Sequence, residues 1–227
     1  MIDDILYIVE RYWPLLLEGL KNTIIITAAS YSIGVALGLS LALLRSYGPK
    51  ALAAAVTAYV EAFRGTPMLV QLFIVYYSLP AFGIVLDPLT AAIVAIGLNS
   101  GAYQSEYFRG ALAAIPRGQW EAALSIGLRK WAAVRYVILP QAWRVALPAL
   151  TNELIYLLKY SSIAYFVTVP ELVFMGKYIG SRTYMYLQVY TVITVIYVTL
   201  ALTISEGMSR LERRLSVPGV SITGRGQ

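Results

Sequence analysis

The sequence predicts an all-α, polytopic membrane protein with five transmembrane helices and a cytoplasmic helix-turn-helix, organised as one domain over residues 1–227. Three observations predict it. Of 227 residues, 59% are apolar and 13% charged, against about 45–50% and about 25% in ordinary soluble domains. Residues 24–44 and 184–205 carry no charge at all, and each is as long as a hydrocarbon core of about 30 Å requires. The basic residues, finally, collect on one side of the topology these stretches imply.

The elements follow in chain order. Residues 3–20, where Tyr7, Tyr12 and Trp13 stand among acidic and apolar residues, are expected to lie along the outer interface before the first span. The opening Asp3-Asp4 is acidic where a secretory signal is basic, so no cleaved targeting segment is expected. The first span, about 20–45, contains Gly34-x-x-x-Gly38, a spacing that lets another helix approach closely. The second, about 51–80, is interrupted by Glu61, Arg64 and then Gly65-Thr66-Pro67; the third, about 88–114, by Glu106 and Arg109. The fourth, about 141–166, carries Arg144, Glu153 and Lys159, and the fifth is 184–209. A polar tail, 221–227, is expected to fray.

With the residue-44 end inside, Arg45, Lys50, Arg117, Arg129, Lys130, Arg135, Arg210, Arg213, Arg214 and Arg225 are cytoplasmic, while Arg11, Lys177 and Arg182 are outside. This asymmetry sets an extracytoplasmic N-terminus and a cytoplasmic C-terminus. The net charge of +6 is thereby topological, and no nucleic-acid partner is expected. The chain has no Cys and no His, which excludes disulfides, thiolate or imidazole metal ligands and every His-based acid/base mechanism. No metal or cofactor is expected.

The cytoplasmic connection, 115–140, is more than a linker. Residues 120–128 form a short Ala-rich helix that Gly127 is placed to end, because glycine enters the left-handed cap conformation without steric cost. A second helical piece, 130–137, follows, and Pro140 is expected to stop it and start the next span. The result is a knob with Glu121 at one end and Arg117, Arg129 and Lys130 around it, suited to a groove on another protein.

Glu121-Ala122-Ala123-x-x-x-Gly127, followed by Val137-Ile138-Leu139-Pro140, resembles the EAA loop of ABC-importer permease subunits. Phe63-Arg64-Gly65-Thr66-Pro67, Gly101-Ala102-Tyr103, Glu106-Tyr107-Phe108-Arg109-Gly110 and Ile115-Pro116-Arg117-Gly118-Gln119-Trp120 are similar to the polar amino-acid uptake branch, over roughly residues 20 to 215. One position departs: where that branch usually has Asp after Leu-Leu-Lys, this chain has Tyr160. The resemblance implies the ABC type I importer permease fold in the cell inner membrane. It also implies two ABC ATPase subunits per complex, a second permease chain, identical or homologous, and an extracytoplasmic amino-acid-binding protein. Arg117, Glu121, Ala122, Ala123, Gly127, Leu139 and Pro140 are then the ATPase-coupling residues. The chain lacks a G-x-x-x-x-G-K-(S/T) phosphate loop, so ATP hydrolysis is expected on separate subunits and no catalytic residue is assigned here.

Charges within spans are costly and mark pathways or internal pairs. Counted at about 1.5 Å per residue, Arg64, Asn99 and Glu153 reach similar mid-membrane depth, and Tyr103 lies one turn beyond Asn99 on the same face. Pro67 breaks its helix, exposing a new N-terminus that favours an anion. Arg64 with Thr66 is thus placed for a substrate carboxylate and Glu153 for its ammonium, with Asn99 and Tyr103 beside them. Internal pairing competes with this reading: Glu61 with Arg64, and Glu106 with Arg109, stand three apart on one helix face. Two other functions compete. A channel-like or structural membrane subunit needs no docking knob, and an intramembrane enzyme would need a basic partner for its Ser nucleophile, for which Lys159 is too near Ser161 and Ser162 in sequence.

Overall fold

The computed structural model describes residues 1–215, and among them it contains helices and turns but no strand. The helices are α1 Ile2–Tyr47, α2 Lys50–Arg64, α3 Met68–Phe73, α4 Pro88–Ala113, α5 Arg117–Ser125, α6 Lys130–Ala133, α7 Leu139–Tyr160, α8 Leu172–Thr183 and α9 Tyr186–Leu215. The polar tail 221–227 and Arg225 lie outside the described residues. α1 and α9 are each long and apolar enough to cross a bilayer alone.

α1 and α4 run parallel, and their close packing organises the centre. Ser30 donates to the Ile93 carbonyl at 3.1 Å. A Cβ on Gly34 would stand 2.7 Å from Ser100 Oγ, and one on Gly38 would stand 2.9 Å from the Ser105 backbone nitrogen. The contact is reciprocal, since Gly97 and Gly101 receive Ile33 and Leu37 of α1. Small residues on both helices let the backbones approach, which in a membrane replaces the missing hydrophobic drive.

Residues 3–20 depart from expectation. They do not lie along the interface ahead of a span but continue into it, as one 46-residue helix that passes through Pro14. Ile8 and Leu16 are buried against Leu172, Ile179, Val189 and Ile193, so α8 and the start of α9 supply an apolar partner. α8 itself, between the fourth and fifth expected spans, is a helix the apolar pattern did not announce.

The second span is bent rather than straight. α2 ends at Arg64, and the following helical segment, 68–82, turns away by 104°. α3 is only six residues long before it widens into a π-helical turn, Ile74–Ser78, and a 3-10 turn, Leu79–Phe82. In the connection 115–140, Pro140 does not stop the helix before it. A π-helical turn, Val134–Ile138, carries the backbone from α6 into α7, with the Leu139 amide reaching back to the Val134 carbonyl. Pro140 falls in the first turn of α7, where a missing amide costs little.

Candidate functional site

A cavity of about 420 Å³ opens between the α2–α3 break, the middle of α4 and the C-terminal half of α7. Thr66, Pro67 and Met68 line it from the break, Asn99, Tyr103 and Tyr107 from α4, and Glu153, Tyr156 and Tyr160 from α7. Asn99, Tyr103 and Tyr107 are spaced by four, one stripe on one helix face. Four of the expected residues, Thr66, Asn99, Tyr103 and Glu153, therefore share this space.

Glu153 is only 6% exposed. One carboxylate oxygen accepts from the Ser100 hydroxyl at 2.7 Å and the other from the Tyr107 hydroxyl at 3.2 Å. Two neutral donors hold it, and among the described residues it makes no ion pair. Ser100 in turn accepts from Gln104 Nε2 at 2.9 Å. A buried carboxylate lacking a cation is expensive, so the arrangement stores a preference for a positive group that arrives from the cavity.

The break is held by side chains. Gln71 Nε2 donates to the carbonyls of Phe63 at 2.7 Å and Thr66 at 3.1 Å and to Thr66 Oγ1 at 2.8 Å. Asn99 Nδ2 donates to the Phe63 carbonyl at 3.2 Å and to Gln71 Oε1 at 2.9 Å. Helix ends leave carbonyls without partners, and these two amides satisfy them. Gln71 was missed from sequence, although a single amide in the apolar run after Pro67 was its signal. The N-terminus expected after Pro67 exists and opens the helical segment 68–82, with Thr66, Pro67 and Met68 in the cavity wall.

Arg64 does not line the cavity. Its guanidinium stacks over the Tyr103 ring, 5.3 Å from the centroid, behind a residue that does line it. Arg64 and Glu61 form no ion pair among the described residues. Glu106 does pair with Arg109, at 2.6 Å, and also with Arg45 of α1, so this carboxylate is structural. Lys159 is exposed, its ammonium 4.6 Å from the Tyr156 ring centroid.

The helix-turn-helix knob forms, with an addition from α1. α5 ends in a Schellman motif: the Gly127 amide bonds to the Leu124 carbonyl at 2.9 Å, the Leu128 amide to Ala123 at 3.2 Å, and Gly127 has φ of +84°. Ala123 is buried, whereas Arg117, Glu121, Ala122, Gly127 and Pro140 are exposed and Leu139 is half-buried. Tyr47, at the end of α1, anchors the knob. Its ring lies 5.4 Å from Trp120 and 6.3 Å from Trp131, and its carbonyl accepts from Lys130 Nζ at 3.1 Å. Leu124 and Ile126 remain 52% and 77% exposed, an apolar tip flanked by charge.

Comparison with known proteins follows the same outline. The family described as binding-protein-dependent transport system inner membrane component matches residues 34–217. The chain is 41% identical over 207 residues to the L-cystine transport system permease protein TcyB of Bacillus subtilis (strain 168), covering 91% of this chain and 88% of that protein. It is 38% identical to the glutamine transport system permease protein GlnP of Escherichia coli (strain K12), covering 90% and 94%. A crystal structure of an amino acid ABC transporter with histidines contains a chain similar at a TM-score of 0.83 and 40% identity, covering 90% of this chain and 95% of that one. An inward-facing structure of the MetNI methionine ABC transporter gives a TM-score of 0.79 at 27% identity, covering 92% and 99%.

Proposed function

Because the chain belongs to the family of binding-protein-dependent inner membrane transport components, and is the multi-pass membrane permease subunit of an ABC importer, we propose that its cargo is an amino acid. An extracytoplasmic binding protein delivers it, two ATPase subunits dock on the cytoplasmic knob, and a second permease chain, identical or homologous, completes the pathway. The permease is not itself catalytic. Five spans carry the chain across the membrane, with the N-terminus outside and the C-terminus in the cytoplasm, as the placement of Lys and Arg favours.

The observation that carries this reading is Glu153, buried at the cavity wall with neutral donors and no cation. What cystine and glutamine, named for two relatives, have in common is the ammonium and carboxylate of an α-amino acid. In this chain Glu153 takes the ammonium, while Thr66, Asn99 and Tyr103 orient the molecule. Arg64, stacked on Tyr103, swings past that ring to meet the carboxylate with its planar fork. Glu121, Ala122, Ala123, Gly127, Arg117, Leu139 and Pro140 form the coupling surface, with Leu124 and Ile126 as its apolar tip.

The test is amino-acid binding and ATP-driven uptake by the whole importer carrying Glu153→Gln. Losing a charge-assisted hydrogen bond of roughly 1.5–3 kcal/mol weakens binding about 10- to 150-fold, while the complex still assembles. Unchanged binding removes Glu153 from the site. Arg64→Lys also lowers binding, because an ammonium cannot reproduce the bidentate geometry of guanidinium.

A further inference from the structure

We propose that the cavity accepts amino acids whose side chains carry no charge, an inference that rests on the amino-acid site proposed above. Among the described residues, Glu153 is the single formal charge lining the cavity, and the α-ammonium uses it. Arg64, stacked on Tyr103 of that wall, is used by the α-carboxylate.

What remains for the side chain is the ring and hydroxyl surface of Tyr107, Tyr156 and Tyr160 with Met68 beside them. Aromatic faces by themselves attract cations. Here one of the rings already carries one: Lys159 lies 4.6 Å from the Tyr156 centroid. A lysine or arginine side chain entering between the tyrosines finds no second carboxylate in the wall. An aspartate or glutamate side chain fares no better, since no cation lines the wall and an unpaired buried carboxylate is costly. Neutral side chains pay neither penalty. Amides and hydroxyls find partners in the tyrosine hydroxyls, and apolar or aromatic groups find ring faces. A volume of about 420 Å³ leaves room for large ones.

The experiment is direct binding of radiolabelled glutamine, leucine, tyrosine, lysine, arginine and glutamate to the purified importer complex in nanodiscs, without the binding protein, whose own selectivity is thereby excluded. The tightest neutral amino acid should bind at least about tenfold more tightly than lysine, arginine or glutamate. Tyr160→Glu adds a carboxylate to the wall and should raise lysine and arginine by about tenfold relative to that neutral amino acid. Tyr160→Gln, of similar length and no charge, should preserve the neutral preference. Lysine, arginine or glutamate bound as tightly as the best neutral amino acid overturns this inference and leaves the amino-acid site standing. If an intact complex binds no amino acid of any charge, the proposed site and this inference fall together. The wild-type comparison decides alone if the variants do not assemble.

Discussion

Gly34 faces Ser100, and that contact places the Ser100 hydroxyl 2.7 Å from Glu153. The position of the one carboxylate in the cavity is thus inherited from the packing of α1 on α4, two helices that contribute to it through a glycine and a serine. Disturbing the helix crossing should disturb the site without touching it.

Gly38→Ala tests this. Its Cβ would come within 2.7 Å of Gln104 Cβ and 2.9 Å of the Ser105 backbone nitrogen, so the helices must separate. Overpacking of this kind costs about 1–3 kcal/mol. Thermal unfolding in detergent should show the loss, and amino-acid binding should weaken with it. Gly110→Ala, where nothing stands within 4 Å, should leave both unchanged or raise stability slightly. Equal effects from the two substitutions would remove the packing argument.

The knob predicts a separation of assembly from transport. Gly127 occupies φ of +84° in a Schellman cap, so Gly127→Trp strains the backbone by roughly 1–2 kcal/mol and sets a large ring beside Leu124 and Ile126. The chain should still insert, while ATPase co-purification and uptake fall. Glu121→Lys, on an exposed side chain, should do the same by charge alone. Normal uptake by the Gly127→Trp importer would end the coupling role.

Glu171 gives a pH dependence. By the span bounds read from the sequence it falls between the fourth and fifth spans; it stands before α8, fully buried, and caps that helix by accepting from the Val173 and Phe174 amides at 2.8 Å. Burial, acting against those hydrogen bonds, pushes its carboxyl from 4.5 up to about 7. Between these values the folded protein binds more protons than the unfolded one. Its contribution to stability is therefore complete below about pH 4.5 and is lost, by about 3 kcal/mol, as pH rises to about 7. Melting temperatures from pH 4.5 to 8 should show that decline in wild type and a flatter profile in Glu171→Gln. The same slope in both would assign the effect to other groups.

Orientation follows from charge and is read by tags. A reporter after Gln227 should be cytoplasmic and a tag ahead of Ile2 extracytoplasmic. Both ends on one side would require an even number of crossings.

How much was legible in the sequence varies by element. The break at Gly65-Thr66-Pro67, the Gly127 cap and the Glu106–Arg109 pair could all be read, because each depends on residues within a few positions and on backbone chemistry that does not vary with context. The continuation of α1 back to Ile2 could not, since its apolar stripe gains meaning only from α8 and α9.

The sequence by itself determined membrane residence, the family outline and which residue types the site would draw on, because apolar density, charge asymmetry and local motifs are properties of adjacent residues. The tertiary structure alone decided that Ser100 and Tyr107 hold Glu153, that Gln71 and Asn99 close the broken helix, and that Arg64 stands behind Tyr103 rather than in the cavity. Those are contacts between residues up to 53 positions apart. They exist because glycines let α1 and α4 approach and because a 104° bend returns the chain to α4, geometry that no local pattern encodes.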